Sequence, residues 1–197
     1  MRRLGVFGGT FDPPHQGHLV IAERAREELA LDAVLFVVAS QPPHKGQQVV
    51  APAEDRVGMV ERAIADNSGF ACSAMELGRP GPSYTVDTLD AIHRDDPRSE
   101  LFFLLGSDSL RELGTWHRPE ELVALATLVV LPRPGIAPEL PQARWASAAR
   151  LVALDVPGLD IASSGLRERL SRGQGVRYLV PDPVLAYIAE RGLYRSH

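Results

Sequence analysis

The chain has almost no cysteine and almost no lysine. Cys72 is the only cysteine among 197 residues, which rules out a disulfide framework and a cysteine-based zinc cluster. It stands in the apolar run Gly69-Phe70-Ala71-Cys72 and reads as a small buried hydrophobe. Lys45 is the only lysine beside twenty arginines, so it stands out as a flexible point charge. Positive charge is not in excess either. A formal net charge of −4 gives no whole-molecule field to recruit DNA or RNA, so no nucleic-acid partner is expected. An anionic ligand would have to be met by a local cluster of positive groups. No apolar run approaches the roughly 18 residues of a membrane-spanning helix, and no membrane partner is expected. Met1-Arg2-Arg3 followed by Leu4-Gly5-Val6-Phe7 starts like a signal peptide, but Gly8, Gly9 and Asp12 interrupt it at once. The expected location is cytoplasmic. Internal repeats and linker-like composition breaks are also missing, and the length suits one domain over residues 1–197.

What is present is an alternation of short apolar runs with longer segments of helical period. Leu4 to Phe7, Val34 to Val38, Phe70 to Ala74, Leu101 to Leu105, Thr127 to Leu131 and Leu151 to Leu154 read as strands. Helices are expected over 17–30, 54–65, 84–93, from about Asp108, over 165–170 and over 183–191. Buried strands separated by helices imply a doubly wound, Rossmann-like α/β fold: a parallel sheet with helices on both faces. Residues 133–149, rich in proline and alanine, read as a surface excursion or a flap.

The first strand runs into Gly8-Gly9-Thr10-Phe11-Asp12-Pro13-Pro14-His15-Gln16-Gly17-His18. Ligands of open α/β sheets gather beyond the carboxyl ends of the strands. Paired glycines there let backbone N–H groups approach a phosphate, and the following helix N-terminus adds partial positive charge. The spacing is neither the dinucleotide fingerprint nor a P-loop. His15 and His18 could ligate a metal, but no third ligand lies nearby, and phosphate binding suits the glycines better. Near the other end, Ser163-Ser164-Gly165-Leu166-Arg167 offers hydroxyls and a guanidinium where a helix begins. Taken alone, that segment is an ordinary serine cap with a solvated arginine.

These segments together resemble the nucleotidylyltransferase superfamily. Its core signature, [T/H]-x-G-H, is matched by His15-Gln16-Gly17-His18. The second, Ile-Ser-Ser-Thr-x-Ile-Arg, is matched by Ile161-Ala162-Ser163-Ser164-Gly165-Leu166-Arg167, with Ala162, Ser164 and Leu166 as departures. The Gly-Gly-Thr-Phe-Asp-Pro form resembles the bacterial nicotinate-nucleotide adenylyltransferases in particular. So do Pro42-Pro43-His44-Lys45, Ser83-Tyr84-Thr85-Val86-Asp87-Thr88, and Gly106-Ser107-Asp108 followed by Trp116-His117. The resemblance covers about residues 4–194.

It implies AMP transfer from ATP to nicotinic acid mononucleotide, giving nicotinic acid adenine dinucleotide and pyrophosphate, a step of NAD biosynthesis. The implied catalytic residues are His15, His18, Lys45 and Arg167. The implied ATP contacts are Gly8, Gly9, Thr10, Phe11, His15, His18, Lys45, Gly106, Asp108, Ser163, Ser164 and Arg167. Thr10, Tyr84, Thr85, Trp116 and His117 would receive the nicotinate mononucleotide, with its ring on Trp116 and its carboxylate near backbone N–H groups at Thr85 and His117. Mg²⁺ would be held mainly by phosphates and water, with no protein metal cage. Pantetheine-phosphate adenylyltransferases and cytidylyltransferases share the core signature, but the Tyr84-Thr85 and Trp116 segments argue against both. The tail from Leu179 to Tyr194 also resembles that of the family and reads as packing.

Overall fold

A computed structural model describes residues 1–41, 49–131, 140–155 and 159–195. The first strand, β1 (Arg3–Gly9), leads to α1 (Gln16–Glu28), β2 (Ala33–Val38), α2 (Ala53–Ala63) and β3 (Phe70–Ser73). Then come α3 (Thr85–Asp95), β4 (Glu100–Gly106), α4 (Ser107–Glu112), a 3₁₀ turn (Leu113–Thr115), α5 (Pro119–Leu125) and β5 (Ala126–Leu131). A second 3₁₀ turn (Arg144–Ala148), β6 (Leu151–Ala153), α6 (Ser163–Ser171) and α7 (Asp182–Arg191) complete the described chain.

All six strands form one sheet in the order β3-β2-β1-β4-β5-β6, and each pairing is parallel. The order reverses between β1 and β4. At such a switch point the crossovers leave in opposite directions and open a crevice beyond the strand ends.

Strand residues alternate between two cores. Phe7, Phe36, Phe102, Leu104, Val129 and Leu131 face one side with Ala22, Met59 and Ile188 of α1, α2 and α7. Leu4, Val6, Leu101, Phe103, Leu105, Leu128 and Val130 face the other with Leu89, Leu110 and Leu122 of α3, α4 and α5. This period-2 partition is what a sheet covered on both faces requires.

The expected helices and strands are found within two residues of their boundaries. One element went unanticipated. Helix α5 has Pro119 in its first turn, Glu120 and Glu121 beside it, and Leu122 and Val123 buried. Those are helix-start signals, but its seven residues are too few to show a period. Part of the 133–149 stretch is the 3₁₀ turn Arg144–Ala148. The rest, up to residue 139, lies outside the described residues. Among the described residues, no helix is long and apolar enough to cross a membrane.

Candidate active site

The crevice at the switch point is lined first by the loop after β1. A methyl group on Gly9 would sit 2.9 Å from Phe11 Cζ, so glycine lets the Phe11 ring lie directly on the backbone. Phe11 itself has φ +50°, a left-handed conformation that costs a non-glycine residue about 1–2 kcal/mol. Burial of its ring, 2% exposed and edge-on to Phe7, offsets that cost. The loop then reaches His15, whose extended backbone caps α1.

His15 and His18 are held as a unit. Their rings stack with centroids 3.7 Å apart, and the His15 backbone N–H donates to His18 Nδ1 at 3.1 Å. An Nδ1 that accepts a hydrogen bond carries no proton, so the neutral His18 ring keeps its proton on Nε2. Phe7 and Phe11 meet the same ring edge-on at 5.9 and 5.0 Å, which fixes its orientation. Gly17 leaves room for the pair, since a Cβ there would crowd His15 Nδ1 at 3.0 Å.

Burial pushes His15 down from 6.5 to about 4, so at neutral pH its ring offers hydrogen bonds rather than charge. That shift has a stability consequence. The unfolded chain takes up the proton near pH 6.5 and the folded chain only near pH 4, so stability falls as pH drops through that window. Relative to His15→Gln, the wild type is expected to lose about 2 kcal/mol between pH 7.5 and pH 5. Denaturant unfolding of both proteins at the two pH values measures this, and a pH-independent difference would contradict it.

The second motif is docked onto the first. Ser163 Oγ donates to the Pro13 carbonyl at 3.0 Å, and Arg167 Nη1 donates to the Asp12 carbonyl at 2.8 Å. Segments 150 residues apart in sequence therefore share one site. Neither serine caps α6. Ala162 is the cap residue and makes no side-chain cap bond, which corrects the serine-cap reading. Ser163 instead ties the two motifs together, while Ser164 and Gly165 lie exposed in the first turn. Arg167 is partly buried, with 19% of its side chain exposed.

Two charged residues that sequence reasoning did not single out organise this half of the site. Asp12, 1% exposed, accepts from the Val50 N–H at 2.7 Å and the Ala51 N–H at 3.1 Å. It also accepts from the Tyr194 hydroxyl at 2.7 Å, and Arg167 Nη1 stands 3.6 Å from its Oδ2. Burial, reinforced by the bond to Asp12, pushes the Tyr194 phenol well above its usual range. Tyr194 thus remains a donor and is more than the packing residue expected. Arg56, also 1% exposed, donates to the carbonyls of Thr10, Ala39 and Ala51 at 2.9, 2.6 and 3.1 Å. It joins the carboxyl ends of β1 and β2. Its burial pulls the guanidinium below its ordinary value, while the Asp12 charge opposes the shift. The signal for Arg56 was its place on the buried stripe of α2 with Met59, Val60 and Ala63.

Across the switch point, β4 runs beside β1 and ends at Gly106, the cap residue of α4. Asp108 is exposed in the first turn of that helix, so it is not the cap itself. Tyr84 and Thr85 open α3. The Tyr84 ring lies 4.3 Å from the His117 ring, and Trp116 meets Phe103 of β4 edge-on at 6.1 Å. Phe103 in turn lies 3.7 Å from where a Gly8 Cβ would be. Phe103 therefore lies between the glycine loop after β1 and Trp116. The loop after β2 joins this wall, since the Ser40 and Gln41 N–H groups donate to Ser83 Oγ at 3.1 and 3.2 Å. Lys45 lies outside the described residues. Among the described residues, no group of three or more His, Cys, Asp or Glu side chains could hold a metal ion.

Comparison with known proteins gives a consistent picture. The family model for cytidylyltransferase-like proteins matches residues 6–169. A Thermomicrobium roseum protein named "Probable nicotinate-nucleotide adenylyltransferase" is 47% identical over 199 residues, covering 100% of this chain and 93% of that protein. A Thermus thermophilus protein of the same name is 49% identical over 193 residues, covering 98% and 100%. Among solved structures, Plasmodium falciparum nicotinic acid mononucleotide adenylyltransferase complexed with NaAD superposes with a TM-score of 0.80 over 98% of each chain. At 18% identity that likeness speaks for the fold.

Proposed function

Because the chain belongs to the cytidylyltransferase-like family, within its nicotinate-nucleotide adenylyltransferase branch, we propose that it transfers AMP from ATP to nicotinic acid mononucleotide. The observation that carries the reading is the docking of Ser163 and Arg167 onto the Asp12-Pro13 segment. It brings the starts of α1 and α6 together beyond the end of β1, which supports a shared phosphate site.

In the reaction, a phosphate oxygen of the mononucleotide bonds to the α-phosphorus of ATP. The bond from that phosphorus to the bridging oxygen breaks, and pyrophosphate leaves. The nucleophile is already an anion, so alignment and charge stabilisation are the demands on the protein. The loop from Gly8 to Phe11 supplies backbone donors, and His15 and His18 hydrogen-bond the α-phosphate region. Arg167, Ser164 and Lys45 hold the outer phosphates, with Ser163 and Asp12 setting the position of Arg167. Mg²⁺ enters as part of the MgATP substrate. Gly106 and Asp108 border the nucleotide, while Thr10, Tyr84, Thr85, Trp116 and His117 receive the second substrate.

Label tracing tests the bond that breaks. With ATP labelled on the α-phosphate, the label is expected in the dinucleotide. With the γ-phosphate labelled, it is expected in pyrophosphate. Label from the γ-phosphate in the nucleotide product would mean phosphoryl transfer instead and would overturn the reading.

A further inference from the structure

Trp116 and His117 sit on the short connection between the 3₁₀ turn and α5, and Arg118 follows them. Arg118 has φ 48° and ψ 59°, the left-handed region that a bulky residue rarely adopts. Strained backbone of this kind persists only where the surroundings over-determine it. Two carboxylates hold the Arg118 side chain. Arg118 Nη1 donates to Glu121 Oε2 of α5 at 2.8 Å, and Arg118 Nη2 donates to Asp87 Oδ1 of α3. Asp87 is the acidic residue of the first turn of α3, two positions after Thr85. The guanidinium therefore joins the helix start bearing Tyr84 and Thr85 to the loop bearing Trp116 and His117, the two segments that the Tyr84–His117 ring contact also joins. The pair is only partly shielded, with 38% and 40% of the two side chains exposed, so as a stability device it is weak. Its placement between the two segments expected to receive the pyridine ring is the more telling feature.

We propose that the Arg118–Asp87 ion pair is a clasp that sets the spacing of the pyridine pocket and neutralises the acidic residue at the α3 start, favouring an anionic ring over its neutral amide. The proposal rests on the adenylyltransferase reading above and assigns Arg118 as a positioning and specificity-determining residue of that site. Without Arg118, the walls lose their tie and the Asp87 charge faces the region where a ring carboxylate would bind. Like charges brought together in a partly desolvated site disfavour binding of the acid but not of the amide.

Steady-state kinetics at saturating MgATP, with nicotinic acid mononucleotide and nicotinamide mononucleotide in turn, tests this. The proteins are the wild type, Arg118→Ala, Arg118→Lys, Asp87→Asn and the Arg118→Ala/Asp87→Asn double variant. Arg118→Ala is expected to raise KM for the acid about tenfold, an effect of misplaced pocket walls, with KM for ATP, measured separately at saturating acid, nearly unchanged. Its preference for acid over amide is expected to fall, and the double variant to recover part of that preference, because the exposed charge is gone. Arg118→Lys is expected to lie between, since it keeps the charge but loses the fork geometry. Equal changes in both KM values, or an unaltered acid-to-amide ratio, would overturn the clasp while leaving the adenylyltransferase reading intact. A wild type that turns over neither mononucleotide would overturn that reading, and the clasp with it.

Discussion

His18→Ala is expected to lower kcat at least ~100-fold, the typical loss on removing one donor aimed at transition-state charge. The expectation follows from how the ring is fixed. Its Nδ1 is occupied by the His15 N–H, and its faces and edges are held by His15, Phe7 and Phe11. On the proposed reading, the Nε2–H donates to the α-phosphate oxygens, where negative charge builds in the transition state. Alanine also removes the acceptor for the His15 N–H, so some stability is lost as well. His18→Asn separates the two effects by restoring a short side-chain acceptor near the helix start. It is expected to melt close to the wild type yet show the same loss of turnover. Near-normal kcat in either variant would remove His18 from the catalytic set.

The second large effect is on stability. Asp12→Ala is expected to cost about 3–5 kcal/mol, the usual result of breaking a buried charged node by removing one partner. The substitution leaves the Val50 and Ala51 N–H groups and the Tyr194 hydroxyl without their acceptor. It also removes the carboxylate facing Arg167. For a chain of this size each kcal/mol shifts Tm by about 2–4 °C, so thermal unfolding reads the effect easily. Tyr194→Phe deletes one charge-assisted hydrogen bond and is expected to cost about 1.5–3 kcal/mol, less than Asp12→Ala. An Asp12→Ala protein that melts with the wild type would show that the node is incidental.

Much of this architecture was legible in the sequence because buried parallel strands are short, apolar and separated by helices of regular period. The Gly8 to His18 motif was legible because its glycines fall where a Cβ would crowd the Phe11 and His15 side chains, at 2.9 Å for Gly9 and 3.0 Å for Gly17. The links between segments were not legible. Nothing in the order of residues says that Ser163 will meet Pro13, that Tyr194 will reach Asp12, or that Arg118 will bridge to Asp87. Those contacts depend on how crossovers bring distant loops to one end of the sheet. Helix α5 escaped because its start signals precede too short an apolar pattern. Arg56 escaped because an arginine on a buried stripe looks like a break in the stripe until its carbonyl partners are seen.

The measurement that tests the central claim most directly is product analysis after mixing the protein with MgATP and, separately, nicotinic acid mononucleotide, nicotinamide mononucleotide and phosphopantetheine. Rapid formation of the dinucleotide and pyrophosphate with the acid, and much slower turnover of the amide, are expected. Turnover of phosphopantetheine alone, or of none of the three, would contradict it.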